Sequence, residues 1–101
     1  MTIRVCLAGA TGWAGSALAR AIAKSDDIEL VAAVARRSAG QELGQVLSEP
    51  KLSCPIYPTA QEALTHPCDV FFEYTQPYIA KSNILQALDR GAHVVIGTSG
   101  L

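Results

Sequence analysis

The segment GATGWAG at residues 9–15 spaces three glycines at intervals of three, between an apolar run and an alanine-rich stretch. The preceding residues 3–8, IRVCLA, have the length and hydrophobicity of a buried parallel strand. From residue 13 to residue 24 apolar side chains recur at spacings of three and four, which predicts an amphipathic helix. This strand–loop–helix pattern constrains the fold more than any other feature, because it is the context in which a glycine loop binds phosphate.

Each glycine of the loop has a distinct steric role. Gly9 allows the strand to turn, Gly12 lets the backbone approach a pyrophosphate, and Gly15 lets the helix pack on the strand. Phosphate charge would meet free N–H groups and the positive end of the helix dipole. The pattern G-x-x-G-x-x-G differs from the common G-x-G-x-x-G, but Ala10 is small enough to keep the turn tight. The loop predicts a dinucleotide site, with a purely structural turn as the alternative.

Strand-like and helix-like segments alternate along the rest of the chain. The predicted strands after the first are residues 28–35, 56–57, 69–75 and 93–96. Two further helices are predicted, at residues 60–64, which Thr59 caps, and at residues 79–90, which Gly91 ends. Residues 36–44 are polar and predict a loop. The alternation predicts an α/β fold, a Rossmann-like doubly wound parallel sheet with helices on both faces.

Three polar or glycine-bearing loops are predicted at the carboxyl ends of the strands, at residues 9–15, 75–77 and 97–100. In a doubly wound sheet the ligand lies beyond these strand ends. We therefore expect the three loops to lie together and to form the binding site.

Composition and charge exclude several classes of function. The 101 residues carry 8 Lys plus Arg against 9 Asp plus Glu, so the chain has no excess of positive charge that would attract nucleic acid or an anionic membrane. No apolar stretch approaches the roughly 20 residues of a membrane helix. Cys6, Cys54 and Cys68 have neither a disulfide framework nor a zinc-binding spacing, and His66 and His93 have no partner spacing for metal or general base work. We expect a cytoplasmic protein without bound metal, in which Cys6 is a core residue.

The residues after the second strand predict which dinucleotide is preferred. An NAD-selective site has an acidic residue about 20 positions past the glycine loop, where it binds the adenosine ribose 2′-OH. This chain has Ala35 there, followed by Arg36 and Arg37. Two guanidinium groups can bind a 2′-phosphate through charge-assisted hydrogen bonds. We predict a preference for NADPH over NADH, and the alternative is that the two arginines only keep the loop solvated.

Three motifs together carry a family resemblance. GATGWAG near the start, DVFFEYTQP at residues 69–77 and HVVIGTSGL at residues 93–101 have the order and approximate separation seen in the N-terminal domain of dihydrodipicolinate reductase, also called 4-hydroxy-tetrahydrodipicolinate reductase. The chain resembles this family over nearly its whole length. The resemblance implies a reductase of lysine and diaminopimelate biosynthesis, which transfers hydride from NADPH or NADH to a cyclic dicarboxylate, and a complete protein that is a homotetramer.

The resemblance also implies roles for individual residues. Residues 9–15 would hold the cofactor pyrophosphate, and Ala35 and Arg36 would lie beside the adenosine ribose. Residues 74–75 would border the nicotinamide, and residues 97–99 would line the nicotinamide and the substrate cleft. With Arg37 added from the charge argument, the predicted cofactor contacts are Gly9, Ala10, Thr11, Gly12, Trp13, Ala14, Gly15, Ala35, Arg36, Arg37, Tyr74, Thr75, Gly97, Thr98 and Ser99. No catalytic residue is predicted within this chain.

The sequence departs from the family pattern at several positions. Trp13 and Ala14 stand where the family has Arg and Met, which removes an arginine that could contact phosphate. Residues 73–74 are Glu-Tyr in place of Asp-Phe, and Ser99 replaces a Thr but keeps the hydroxyl. Trp13 is expected to pack against the domain, with stacking over the cofactor as the alternative. Tyr78 follows in the next loop and either touches the ligand or is solvated.

The resembled reductases hold substrate in a second, C-terminal domain that also supplies the proton. We therefore expect residues 1–101 to form one NAD(P)-binding domain that binds cofactor without turnover. Two alternatives stay open. One is a non-catalytic NAD(P)-sensing module, and the other is a domain like that of N-acetyl-glutamyl-phosphate reductase. That reductase needs a catalytic cysteine in a different sequence context, which neither Cys54 nor Cys68 matches. Residues 94–96 of the last strand are expected to need a later segment or a neighbouring chain as cover, because parallel sheets are covered on both faces.

Overall fold

A computed structural model describes residues 2–98, which form five strands and four helices. The strands are β1 (Ile3–Ala8), β2 (Ile28–Val34), β3 (Ile56–Tyr57), β4 (Val70–Glu73) and β5 (His93–Ile96). The helices are α1 (Trp13–Ala23), α2 (Leu43–Val46), α3 (Ala60–Ala63) and α4 (Pro77–Asp89). None of these four helices is long and apolar enough to cross a membrane.

All five strands pair in parallel in the order β3-β2-β1-β4-β5. The chain winds outward from β1 through β2 and β3, then returns to the other side of β1 and continues through β4 and β5. The reversal lies between β1 and β4, and such a switch point opens a crevice at the carboxyl ends of the strands. The predicted Rossmann-like doubly wound sheet is confirmed.

The two faces of the sheet carry separate hydrophobic cores, because successive strand side chains point to opposite faces. On one face Leu7 packs in a cluster with Ile22 of α1 and Leu43 of α2. On the other face Cys6 packs in a cluster with Ala87 of α4. Burial raises the pKa of the Cys6 thiol, as expected for the core residue that the sequence predicts.

Two predicted helix ends are confirmed in atomic detail. The Thr59 hydroxyl accepts a hydrogen bond from the Glu62 N–H at 3.2 Å and caps α3. Gly91 follows α4 with φ +83°, and its N–H donates to the Leu88 carbonyl at 3.0 Å. A left-handed residue at this position ends a helix most easily when it is glycine.

The structure corrects some predicted boundaries. The segment 36–44, predicted as a loop, runs into α2, where Leu43 is fully buried. Four residues are too few to produce a periodic hydrophobic signal, and so short a helix depends mainly on tertiary packing for its stability. Helix α4 begins at Pro77 rather than at residue 79, because the first turn of a helix accommodates proline well. Strand β4 is shorter than the predicted 69–75 and its flanking residues belong to loops.

Strand β5 lies at one edge of the sheet and is the least covered strand. Helix α4 contacts it from one face. Val95 is 43% exposed and Ile96 is 49% exposed. The expectation that this strand needs cover is therefore consistent with the exposure of its apolar side chains, whereas the identity of the covering segment stays a prediction.

Candidate functional site

The turn after β1 contains contacts that only glycine permits. Gly9 has φ +85°, and a Cβ atom there would lie 2.3 Å from the Tyr74 carbonyl oxygen. A Cβ atom on Gly15 would lie 2.0 Å from the Gly9 carbonyl oxygen. The Gly9 N–H also donates to the Val34 carbonyl at 2.9 Å. The turn is thus clamped between the ends of β2 and β4, as the roles predicted for these two glycines require.

Gly12 differs from the other two glycines because the fold leaves space beside it. A Cβ atom there would have its one close neighbour, the Gly9 carbonyl oxygen, at 3.3 Å. Gly12 is the N-cap of α1, and within the described residues no side chain caps this helix and no acidic residue lies in its first turn. An uncapped helix N-terminus attracts anions through its N–H groups and its dipole. The space at Gly12 therefore suits the close approach of a phosphate.

A cavity of about 310 Å³ opens at the switch point, beyond the carboxyl ends of β1, β2 and β4. Its predicted lining residues are Gly9, Thr11, Gly12, Ala35, Arg36, Arg37, Tyr74 and Thr75. Two more lining residues were raised by the sequence without being assigned as contacts: Gln76 lies in the predicted site loop 75–77, and Tyr78 was expected either to touch the ligand or to be solvated. The sequence did not predict the other lining residues, which are Val34, Pro58, Thr59, Ala60, Ile79 and Asn83. Its size lies at the lower end of the range for small-molecule sites.

The third predicted loop lies beside the second one. The Gly97 N–H donates to the Glu73 carbonyl at 2.8 Å, and a Cβ atom on Gly97 would lie 1.7 Å from Tyr74 Cε1. The Thr98 hydroxyl donates to the carbonyls of Glu73 at 3.2 Å and Thr75 at 3.1 Å. The structure therefore brings the first two predicted loops and residues 97–98 of the third to one edge of the sheet. Ser99 lies outside the described residues.

Some predicted contacts do not line the cavity. They are Ala10, Trp13, Ala14, Gly15, Gly97 and Thr98. Ala10 is fully buried, and Gly15 has a steric role in the turn. Trp13 is 97% exposed, so the expected packing of its ring against the domain is wrong for the described residues. The first turn of α1 points the indole away from the core, and cofactor stacking remains a prediction.

A buried carboxylate orders the second loop. Glu73 is fully buried at the end of β4, and its Oε2 accepts hydrogen bonds from the Thr75 N–H at 3.0 Å and from the Thr75 hydroxyl. The sequence pattern showed Glu73 as a replacement for a family Asp but did not predict this role. Thr75 is thus held in place where the loop borders the cavity.

The two sides of the cavity mouth are joined by a hydrogen bond. Arg36 Nη2 donates to Tyr78 Oη at 3.1 Å, which connects the residues after β2 with the start of α4. Tyr78 is 70% exposed and also lines the cavity, so it lies where a ligand would contact it. The cationic rim predicted from Arg36 and Arg37 is therefore present at this site.

Thiol or metal chemistry has no support at this site. Burial raises the pKa of the Cys54 thiol to about 12 and also raises the pKa of the Cys68 thiol, which favours the protonated, less nucleophilic form of both at neutral pH. Neither cysteine lines the cavity. Across residues 2–98, no three His, Cys, Asp or Glu residues group in a way that could hold a metal ion. His66 Nε2 lies 2.5 Å from Tyr57 Oη, outside the cavity.

Comparison with known proteins identifies the family of this chain. A family model described as dihydrodipicolinate reductase, N-terminus, matches residues 3–101. The chain belongs to the dihydrodipicolinate reductase family. The 4-hydroxy-tetrahydrodipicolinate reductases of Geobacillus thermodenitrificans and Bacillus cereus are 35% and 31% identical to it, over 99% and 97% of the chain. The match covers 38% and 37% of those proteins, so the chain spans little more than a third of their length.

Solved structures agree with this assignment. A dipicolinate-bound dihydrodipicolinate reductase from Paenisporosarcina sp. TG-14 is 26% identical, with a TM-score of 0.77 over all of this chain and 39% of that one. An aspartate semialdehyde dehydrogenase from Candida albicans, solved with NADP, has a TM-score of 0.80 at 21% identity, over 98% of this chain and 30% of that one. The second likeness is one of fold alone. The described residues are the NAD(P)-binding N-terminal domain of the dihydrodipicolinate reductase family.

Proposed function

We propose that this chain is the cofactor-binding part of a dihydrodipicolinate reductase. The complete protein would be a cytoplasmic homotetramer that reduces 4-hydroxy-tetrahydrodipicolinate, a cyclic dicarboxylate, with NADPH or NADH in lysine and diaminopimelate biosynthesis. The observation that carries the proposal is the cavity at the switch point, which the uncapped N-terminus of α1 borders. The dipicolinate held by the Paenisporosarcina relative supports the dicarboxylate class of substrate. Three unpaired cysteines support a reducing compartment.

The residues present fit a dinucleotide. The loop at residues 9–15 leaves room for a pyrophosphate beside Gly12, and Arg36 and Arg37 supply positive charge for a ribose 2′-phosphate. Residues 74–75 and 97–99 would border the nicotinamide, which supplies the hydride when the cofactor is bound. We therefore retain the full set of cofactor contacts predicted from the sequence, with NADPH preferred over NADH.

The chain alone is expected to bind cofactor without turnover. Within the described residues, the cavity is lined by no histidine or carboxylate side chain that could donate a proton to substrate. The same observation favours the second candidate, a non-catalytic NAD(P)-sensing module. A dehydrogenase of the N-acetyl-glutamyl-phosphate reductase type has less support, because Cys54 and Cys68 lie away from the cavity and burial raises the pKa of both thiols.

Two measurements separate these functions. Calorimetric titration of the chain with NADPH and NADH should show binding, and the absence of binding by either dinucleotide would overturn both candidates. Oxidation of NADPH by the complete protein should then depend on 4-hydroxy-tetrahydrodipicolinate. Cofactor binding without any turnover by the complete protein would instead support the sensing module.

A further inference from the structure

Glu73 is a buried carboxylate that has hydrogen-bond partners for only one of its two oxygens. It lies at the end of β4, between Ala8 of β1 and Ile96 of β5, and it is fully buried. Oε2 accepts two hydrogen bonds from Thr75, whereas Oε1 is the one buried side-chain nitrogen or oxygen without a partner in the described part of the chain. No lysine, arginine or histidine within residues 2–98 forms an ion pair with this carboxylate. Burial of such a group costs free energy.

An apolar side chain at the same position would avoid this cost. Phe71, two residues earlier on β4, belongs to the hydrophobic cluster that contains Cys6 and Ala87. Because alternate residues of a strand point to the same face, the side chain of Glu73 leaves the strand on that face too. Even paired buried charges can often be replaced by apolar groups of similar volume without loss of stability. The stability of the fold therefore gives no reason for a carboxyl group here, which leaves its two bonds to Thr75 as its contribution.

These two bonds fix Thr75 where the second loop borders the cavity. Thr75 lines the cavity, and Glu73 itself does not. The Thr75 carbonyl accepts a hydrogen bond from the Thr98 hydroxyl at 3.1 Å, so the second loop is bonded to the third. Residues 74–75 and 97–99 are the ones proposed to border the nicotinamide. A side chain outside the cavity thus holds the loop on which this end of the site is built.

We propose that Glu73 is a positioning residue for the nicotinamide half of the bound dinucleotide. Its carboxyl group holds the backbone and the hydroxyl of Thr75 in the geometry that this half of the cofactor needs. The adenosine half, proposed to lie beside Arg36, does not depend on it. This inference rests on the proposed dinucleotide site and deepens it, because it assigns part of the affinity to a residue that touches no ligand.

The test compares NADPH with 2′-phospho-ADP-ribose, which lacks only the nicotinamide ring. We expect Glu73→Leu to bind NADPH about tenfold more weakly than wild type and to bind 2′-phospho-ADP-ribose with wild-type affinity, as measured by calorimetric titration. An equal loss for both ligands, or no loss for either, would overturn the proposal. Failure of the wild-type chain to bind either ligand would instead overturn the dinucleotide site itself, on which the proposal depends.

Two further measurements on Glu73→Leu, made without cofactor, show whether the change is local. The unfolding midpoint in urea should stay close to that of wild type or rise, because a buried carboxyl group with an unpartnered oxygen is removed. Exchange of the Thr75 amide hydrogen should become at least about tenfold faster, since its acceptor is lost. The Gly97 amide, which donates to the Glu73 carbonyl at 2.8 Å, should keep its wild-type exchange rate. Loss of the fold, or fast exchange at both amides, would assign Glu73 to the fold itself and overturn the proposal.

Two matched variants make the result specific. An aspartate side chain readily accepts a hydrogen bond from the N–H two residues further on, so Glu73→Asp should keep the Thr75 amide protected and both affinities at wild-type values. Glu29→Leu makes the same carboxylate-to-leucine change in β2, at an exposed residue outside the cavity, and should also keep both affinities. Weak NADPH binding by Glu73→Asp with a protected Thr75 amide would show that the bond to Thr75 is not what the cofactor needs, and would overturn the proposal.

Discussion

Two glycines of the first loop, three residues apart, differ in what an added methyl group would meet. On Gly15 a Cβ atom would lie 2.0 Å from a backbone oxygen, whereas on Gly12 the nearest atom is at 3.3 Å. Gly15→Ala should therefore lower the free energy of unfolding by about 3 kcal/mol, at the upper end of the range for overpacking. Gly12→Ala should cost less than about 1 kcal/mol as an N-cap change, but should weaken dinucleotide binding at least about tenfold.

Urea denaturation and calorimetric titration of both glycine variants measure the two effects separately. If Gly12→Ala bound NADPH as tightly as wild type, the open space beside this residue would have no role in binding. A Gly15→Ala protein with wild-type stability would show that α1 can shift away from the turn.

Arg36 and Arg37 are the residues that should decide between the two cofactors. Arg36 is already held at the cavity rim by its bond to Tyr78, so less of its conformational freedom remains to be lost on binding. Charge-assisted hydrogen bonds contribute about 1.5–3 kcal/mol each when fully formed, and less at an exposed rim. We expect NADPH to bind about tenfold more tightly than NADH.

The double variant Arg36→Ala, Arg37→Ala should lose this preference and leave NADH affinity nearly unchanged. Arg90→Ala, at an exposed arginine outside the cavity, is the matched control and should keep the wild-type ratio. Equal binding of the two cofactors by wild type, or a preference that survives the double variant, would mean that the arginines only solvate the loop.

At the scale of elements, Asp69 ties the start of β4 to β1. Its carboxylate accepts a hydrogen bond from the Arg4 N–H at 2.8 Å and pairs with the Arg4 guanidinium at 3.2 Å. The guanidinium hydrogen bond, together with the backbone N–H, holds the pKa of Asp69 below its usual range. Because the folded pKa lies below the unfolded value of about 3.9, this pair stabilises the fold fully above that pH and loses its effect as the pH falls through the folded pKa.

Asp69→Asn should accordingly have a lower free energy of unfolding than wild type at pH 7, and the difference should shrink below about pH 4. Urea denaturation at a series of pH values measures it. Asp26→Asn, at an exposed carboxylate in the turn after α1, should show a smaller difference at pH 7. A difference for Asp69→Asn that is as large at pH 3 as at pH 7 would assign its effect to packing rather than to charge.

At the scale of the whole molecule, β5 forms the edge of the sheet opposite to β3, and it exposes apolar side chains. Val95 and Ile96 are about half exposed at the edge of the sheet, where unpaired backbone groups and apolar side chains favour association. We expect the chain to self-associate or to bind an apolar dye. The double variant Val95→Ser, Ile96→Ser should reduce both, as measured by sedimentation and dye fluorescence.

The free energy of unfolding of that variant, measured alongside, separates loss of association from loss of folding. A wild-type chain that sediments as a monomer and binds no dye would argue against an interaction surface at this edge. In the proposed complete reductase, we expect a later segment of the protein to cover the same side chains.

The order of the strands and helices and the position of the glycine loop were determined by the sequence itself. Strands β1, β3 and β5 have the predicted bounds, and the major helices differ by at most two residues at either end. These features could be predicted because hydrophobic periodicity, prolines and glycines act over a few neighbouring residues. Each of the three motifs that carry the family resemblance also consists of a few neighbouring residues.

Only the tertiary structure decided which polar side chains face the cavity. Asn83 has the spacing of a core residue, and Tyr78 could have been solvated. Asn83 and Tyr78 line the cavity together with residues far away along the chain, such as Arg36 and Ala60, which the β1–β4 switch point brings to the same edge of the sheet. The environment of a buried polar group is set by its partners in space, and no pattern confined to one helix or strand contains them.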